Sequence, residues 1–256
     1  MKFNIIKVFF LLCTIVSSPA SAEEVQDGAL LNFSDGRASL SNIGEINKVL
    51  LSVGVHLAQI DVPAKSVSLL RTSLERPLKQ EEATQILSYF SLSRAEVLEQ
   101  AGIAGREAVI EGGGSMSTGE AGVASYPKLY DLRSMGTQDR LGARNKFARL
   151  HVNSTDDGMG VDEVMTLPSG GPWTWYFQIE DGVTVELHMA KIAPGDKAWR
   201  LKYPGLTPHG AYFHSEVGLC IAYITGPETW TMRYEAPGFT KEAGLGGNPF
   251  IDFSKP

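Results

Sequence analysis

Residues 183–190 read VTVELHMA and follow an Asp181-Gly182 pair. In a β-strand, successive side chains point to opposite faces, so the apolar residues at every second position share one face. Glu186 and His188 then share the other face. Asp-Gly is a frequent turn between two antiparallel strands. The stretch therefore predicts one strand of a β-hairpin with a fully apolar face.

Short runs rich in aromatic and branched residues continue on both sides of this hairpin, separated by Gly, Pro and Asp. This spacing indicates an antiparallel sandwich or barrel. The predicted strands cover residues 147–152, 161–167, 173–180, 183–192, 211–213, 219–225 and 229–234.

The first half of the chain has a different pattern. One or two strands are predicted within residues 49–62, and apolar residues at helical spacing predict a helix over 81–90. Ser93 and Glu96 form a capping box for a second helix, which Gly102 is expected to terminate. The predicted fold is therefore α+β, with an N-terminal mainly helical region followed by an antiparallel β-barrel.

The composition divides the chain into four parts. A signal peptide is predicted at 1–22, an N-terminal α/β region with two helices at 23–111, a Gly-rich linker at 112–124 and the β-barrel domain at 125–256. The linker has the densest run of glycines in the chain but lacks the Lys-Ser/Thr pair of a phosphate-binding loop.

The N-terminus has the features of a secretory signal. Lys2 and Lys7 precede an apolar run over 8–16, and Ala20-Ser21-Ala22 offers a cleavage site. The apolar run is much shorter than the roughly 20 residues that span a bilayer. We therefore expect cleavage after Ala22, no remaining membrane span, and a periplasmic or secreted protein.

The net charge and the cysteine content limit which ligands the chain can bind and which disulfides it can form. Without Lys2 and Lys7, 21 basic residues remain against 29 acidic ones, a net charge of −8, which disfavours nucleic-acid binding. Cys220 is then the one remaining cysteine, so an internal disulfide is excluded, and its apolar neighbours predict an inert core thiol. The expected partner is a small molecule, and a homodimer is compatible with the open edge strands of such folds.

Two His and carboxylate pairs are the main candidates for chemistry. Glu186 and His188 share one predicted strand face, and the same spacing pairs His214 with Glu216. Two histidines with a carboxylate form a typical site for a first-row metal. If the face of Glu186 and His188 is instead open to solvent, the pair carries no function.

Residues 192–226 carry a resemblance to a known family. The stretch Ile192-Ala193-Pro194-Gly195-Asp196, then Pro208-His209 through His214-Ser215-Glu216 and on to Gly226, resembles the first metal motif of the cupins. The resemblance implies a small β-barrel that holds a metal inside, with His209, His214 and Glu216 as ligands.

The functional hypothesis combines the His and carboxylate pairs with the cupin resemblance. An exported, metal-binding, cupin-like protein is expected to act on a small organic molecule as an oxygenase, isomerase or lyase. Its metal would be iron, manganese or zinc. Ligands would come from His188, His209 and His214 with Glu216 or Glu186, and Glu186 is also the candidate catalytic base.

A non-catalytic binding or sensory protein is the alternative. Trp173 and Trp175 share a predicted strand face and could stack on a sugar or planar ligand, with Trp199 and Tyr212 as further ligand-binding candidates. A third possibility is an envelope interaction domain whose histidines are hydrogen-bonded within the core.

Overall fold

The computed structural model describes residues 28–109, 119–120, 127–179, 182–235 and 244–255, with the backbone alone at 119–120. The predicted signal peptide, most of the predicted linker and Asp181 lie outside these residues. The described α-helices are Ile43–Leu50 (α1), Val67–Glu75 (α2), Gln80–Tyr89 (α3), Arg94–Ile103 (α4) and Thr137–Phe147 (α5). The described strands are Ala29–Phe33 (β1), His56–Ile60 (β2), Gly119–Glu120 (β3), Lys128–Asp131 (β4), Val152–Ser154 (β5), Asp162–Gly170 (β6), Trp173–Gln178 (β7), Thr184–Met189 (β8), Ala198–Pro204 (β9), His209–Tyr212 (β10), Gly218–Thr225 (β11) and Thr229–Arg233 (β12).

Two antiparallel sheets form the body of the protein. One has four strands in the order β1-β8-β7-β10, and the other has five in the order β2-β9-β6-β11-β4. A smaller three-stranded sheet, β3-β12-β5, pairs β3 parallel to β12 and β12 antiparallel to β5. The predicted α+β class with antiparallel sheets is confirmed. A closed barrel is not, because the described strands form separate sheets.

Alternation along the strands builds the core between the two large sheets. Val185, Leu187 and Met189 of β8 are completely buried and pack in one apolar cluster with Leu167 of β6 and Leu201 of β9. The apolar face predicted for residues 183–190 is therefore confirmed. Burying each such side chain contributes about 1.5–3 kcal/mol, so this cluster is a major source of stability.

Three helices cover the outer face of the five-stranded sheet. Leu70 of α2, Ile86 of α3 and Val97 of α4 pack against Ile221 of β11 in a second apolar cluster. The capping box predicted for α4 is present. The helix, however, continues past Gly102 to Ile103, because the left-handed backbone that terminates it is at Gly105, with φ of +77°.

The first half of the chain also supplies strands to both large sheets. Strand β1 pairs with β8, and β2 pairs with β9. The N-terminal region is therefore only partly helical, and its strands complete sheets whose other members come later in the sequence. The domain boundaries derived from composition stay a prediction.

One predicted strand was wrong, and residues 23–111 contain four described α-helices where two were predicted. Residues 147–152 were predicted as a strand, but α5 runs to Phe147 and β5 begins at Val152. Helix α5 buries no residue completely, so it lacks the apolar stripe that would have revealed it. Strand β9 was not predicted.

None of the described helices combines the length and the apolar character needed to cross a membrane.

Lys202 of β9 provides a test of this packing. Its side chain lies on the outer face of the sheet and is only 3% exposed. Burial, reinforced by the nearby charge of Arg200, lowers the pKa of Lys202 to about 8. An unfolded lysine titrates near 10.5, so the folded state binds fewer protons between pH 8 and 10.5 and stability rises with pH in that window.

We expect Lys202→Met to raise the free energy of unfolding at pH 7 by about 1–3 kcal/mol and to remove this rise at alkaline pH. Chemical denaturation at several pH values measures both effects. Lys197→Met is the matched control, because Lys197 is 62% exposed and should contribute little. A less stable Lys202→Met variant at pH 7 would contradict the expectation.

Candidate functional site

A cavity of about 60 Å³ lies in the interior of the protein, and inner-face residues of both large sheets line it. Most of its wall is aromatic or otherwise apolar, and a small polar group forms the rest. The described lining residues are Tyr130, Phe147, His151, Asn153, Glu163, Met165, Trp175, Tyr203, His209, Ala211, Phe213, Cys220, Ala222, Trp230 and Met232.

Two of the lining residues are histidines in contact with each other. The ring centroids of His151 and His209 are 4.4 Å apart. Their backbones also form an isolated antiparallel bridge, which joins the chain entering β5 to the start of β10. The pair is therefore positioned by main-chain hydrogen bonds.

The tautomer of both rings is fixed by the backbone. Nδ1 of His209 lies 2.7 Å from the carbonyl oxygen of Thr207, and Nδ1 of His151 lies 2.7 Å from that of Arg149. A carbonyl oxygen only accepts, so each Nδ1 carries the proton and each Nε2 is left as an acceptor in the neutral ring. Burial lowers the pKa of His209 to about 4 and that of His151 well below its usual value, so both rings are neutral near pH 7.

The carboxyl group of Glu163 lies close to Nε2 of His209. Its Oε1 is 3.4 Å from Nε2 of His209, and both side chains are almost fully buried. Asn153 holds the pair together, because its Nδ2 lies 2.6 Å from Oε1 of Glu163 and 3.3 Å from Nε2 of His209. Two lone pairs this close in a buried site repel each other unless a donor lies beside them, and the Nδ2 amide of Asn153, with two N–H groups, is such a donor.

Tyr203 and Asn153 add a donor and an acceptor to this pair. Tyr203 lies directly opposite Glu163 in the pairing of β9 with β6 and hydrogen-bonds to it. Burial, followed by the charge of Glu163, raises the pKa of Tyr203, so its hydroxyl stays protonated and donates. Oδ1 of Asn153 is buried and has no hydrogen-bond partner among the described residues. Such an orphan acceptor costs about 1–3 kcal/mol, which a ligand with a donor group can recover.

The predicted pair Glu186 and His188 lies on the opposite face of the sheet from this cavity. Nε2 of His188 is 2.8 Å from Oε2 of Glu186, and Asn32 donates to the same carboxylate oxygen at 3.2 Å. The other ring nitrogen of His188 contacts Oγ1 of Thr174 at 3.0 Å. The structure therefore separates Glu186 and His188 from the inward-facing His209.

His214 and Glu216 do not share a strand face. Strand β10 ends at Tyr212, so both residues follow in a loop where they are exposed. His214 packs on the ring of Tyr212, with centroids 4.0 Å apart. The spacing of His214 and Glu216 therefore does not create a second His and carboxylate face.

The four aromatic candidates are also dispersed. Trp173 and Trp175 share the inner face of β7 as predicted, but only Trp175 lines the cavity. Trp199 is buried in the core and donates from Nε1 to the carbonyl of Ala190 at 3.1 Å. Tyr212 does not line the cavity, and the guanidinium carbon of Arg144 lies 6.0 Å from its ring centroid.

Across the described ranges, no group of three or more His, Cys, Asp or Glu side chains is arranged to hold a metal ion. Of the predicted ligands, His214 lies near enough to His188 and Glu186 for their charges to act on it, whereas His209 lies on the other face of the sheet. Cys220 lines the cavity, and burial raises its thiol pKa, in agreement with the inert cysteine expected from its neighbours.

Sequence reasoning missed Glu163 and Asn153 and treated His151 as structural. One usable signal was present, because Glu163 stands at the same alternate positions of its strand as the buried residues Met165 and Leu167. A carboxylate in the apolar phase of a strand indicates a buried polar site.

Comparison with known proteins gives a structural similarity. No protein-family model and no curated protein matches the chain. Among solved structures it is similar to the acireductone dioxygenase from Bacillus anthracis with a cadmium ion in its active center. The identity is 19%, the match covers 78% of this chain and 93% of that chain, and the TM-score is 0.46.

Fold and site together define the chain as an α+β protein with two antiparallel sheets packed around a buried carboxyl and imidazole pair.

The tautomers provide a direct test of the site. We expect the ¹⁵N spectrum of the imidazoles to show His151 and His209 as neutral Nδ1–H rings at pH 7, with His209 titrating only near pH 4. His209→Gln and His151→Gln variants assign the two signals. An Nε2–H ring or a charged imidazolium at pH 7 would contradict the geometry.

Proposed function

We propose that the protein is an enzyme that acts on a small organic molecule in the interior cavity by moving a proton between the substrate and the Glu163–His209 pair. The observation that carries this proposal is the 3.4 Å contact between Oε1 of Glu163 and Nε2 of His209, which brings two groups that can each take up a proton together at the wall of the cavity. The reaction belongs to the isomerase or lyase type among the classes considered above.

The residues around the pair suit this role. Glu163 and His209 are almost fully buried among aromatic side chains, and the low local dielectric constant strengthens the electrostatic interactions between them. Tyr203 and Asn153 both hydrogen-bond to Glu163 and fix its carboxyl group. Thr207 fixes the ring of His209 through Nδ1, so Nε2 is the atom that accepts or returns a proton.

A metal-dependent enzyme using the same cavity is the second candidate. It is favoured by the anchoring of both His151 and His209 through Nδ1, which leaves Nε2 of each ring as the nitrogen that could bind a metal, with the Glu163 carboxylate beside His209; such donors suit iron, manganese or zinc. The described side chains do not form a ligand group as they stand, so binding would require them to move.

Export is part of the proposal. Its support is the sequence of residues 1–22, with a charged start, an apolar run and small residues before the expected cleavage site. Mass spectrometry of the protein recovered from the periplasm or medium should show a mature chain that begins at Glu23.

Proton exchange tests the proposed chemistry without a known substrate. The purified protein is incubated in D₂O with a panel of small carbonyl compounds and amines, and proton NMR follows the loss of C–H signals. We expect exchange with at least one compound, and a loss of about 100-fold or more in Glu163→Gln and His209→Gln, as is typical for removal of a general acid–base group.

Glu107→Gln is the matched control, because Glu107 is exposed and does not line the cavity. Elemental analysis runs in parallel. Stoichiometric metal that is lost in His151→Gln, together with chelator-sensitive exchange, would support the second candidate instead. Binding of panel compounds without any exchange would show a binding protein, and exchange that is unchanged in Glu163→Gln would overturn the proposal.

A further inference from the structure

The geometry points to a small primary amine, bound as its ammonium ion, as the ligand of the interior cavity; this inference rests on the proposed function and names its substrate class. It follows from three properties of the cavity, which are the hydrogen-bond acceptors on its wall, its charge and its size.

The acceptors converge on one region. Asn153 offers a buried Oδ1 that lacks a partner among the described residues, and its Nδ2 contacts both Glu163 and His209. The backbone-fixed tautomer of His209 makes its Nε2 a third acceptor beside the Glu163 carboxyl group. An ammonium group has three N–H donors and no acceptor, so it complements this set of acceptors.

Charge favours a cation over an anion. The described lining residues include one carboxyl group, that of Glu163, and no lysine or arginine. An anionic ligand would therefore enter a desolvated site without a basic partner, at high cost. A cation is further attracted by the faces of the rings that line the cavity, Trp175, Tyr203 and Trp230 among them, at about 0.5–2 kcal/mol for each good contact.

Size limits the part of the ligand that is buried. The cavity of about 60 Å³ is well below the roughly 150 Å³ of a protein cavity that accepts benzene. A short aliphatic chain that ends in an ammonium group fits this volume, whereas an aromatic ring requires the walls to move. We therefore assign the cavity to amines of a few carbon atoms.

The ammonium ion also suits the polar pair on the cavity wall. Its N–H groups can donate to the Glu163 carboxyl group, which already accepts from Asn153, and to the orphan Oδ1 of Asn153. A proton passed from the ammonium nitrogen to Nε2 of His209 breaks one N–H bond, forms another and leaves the neutral amine, so the ligand class and the proposed proton transfer are compatible.

Calorimetry and tryptophan fluorescence with the full chain test the inference. The probes are propylammonium, its neutral analogue 1-propanol, the propionate anion, and the methylammonium and tetramethylammonium ions, all at constant ionic strength. We expect propylammonium to bind at least 10-fold more tightly than 1-propanol and propionate not to bind, because charge-assisted hydrogen bonds are the stronger ones. Methylammonium should bind more tightly than tetramethylammonium, which has no N–H donor.

Asn153→Leu and Glu163→Gln should each weaken propylammonium binding at least 10-fold, and the control Glu107→Gln should leave it unchanged. Circular dichroism shows whether each variant is folded, and His209→Gln replaces any variant that is not. Equal binding of propylammonium and 1-propanol, or preference for tetramethylammonium, would overturn the amine assignment.

The two proposals fail in different ways. If amines do not bind but another compound exchanges protons in a manner that depends on Glu163, the amine class is wrong and the proposed function stands. If amines bind as expected but no compound in the panel exchanges, the cavity is an amine-binding site and the proposed chemistry is wrong.

Discussion

The two large sheets share one apolar core, and the alternation of side chains along each strand decides which residues enter it. This constraint determines the rest of the molecule. It buries Leu187 and Trp175 from the four-stranded sheet and Leu201 from the five-stranded sheet in the same cluster. It also brings the polar side chains of Glu163 and His209 to the inner face, where the loss of water makes them costly. The two side chains contact each other because each buried polar group requires a polar partner.

Much of the fold could be predicted from local patterns. The apolar alternation of residues 183–190 and the capping box of Ser93 and Glu96 each depend on residues close in sequence, and the structure has both. Helix α5 could not be predicted in this way, because it has no completely buried side chain and therefore no stripe of apolar residues. Its start is marked only by a polar contact, in which the backbone amide of Gly136 donates to Asp139 at 3.0 Å.

The site was harder to predict than the fold, because alternation separates two faces without saying which face holds a cavity. Glu186 and His188 were correctly placed on one face of their strand, but that face is the outer one. It is itself partly covered, since Phe250 stacks on the neighbouring Tyr176 with centroids 6.0 Å apart. Which face looks inward follows from long-range pairing, such as that of His209 with Phe177, and local spacing carries no information about such pairs.

The outer and inner pairs of carboxylate and imidazole show why only one of them marks a functional site. On the outer face, Nε2 of His188 donates to Glu186 at 2.8 Å, and Nδ1 can accept from Thr174 at 3.0 Å, so both ring nitrogens are matched to complementary partners. On the inner face, the Nδ1 proton of His209 is committed to a backbone carbonyl, and Nε2 meets another acceptor. A satisfied network stabilises a fold and has no need of a ligand. In the inner network Glu163 also receives hydrogen bonds from Asn153 and Tyr203, but Oδ1 of Asn153 has no partner among the described residues, and a donor-bearing molecule in the cavity can supply one.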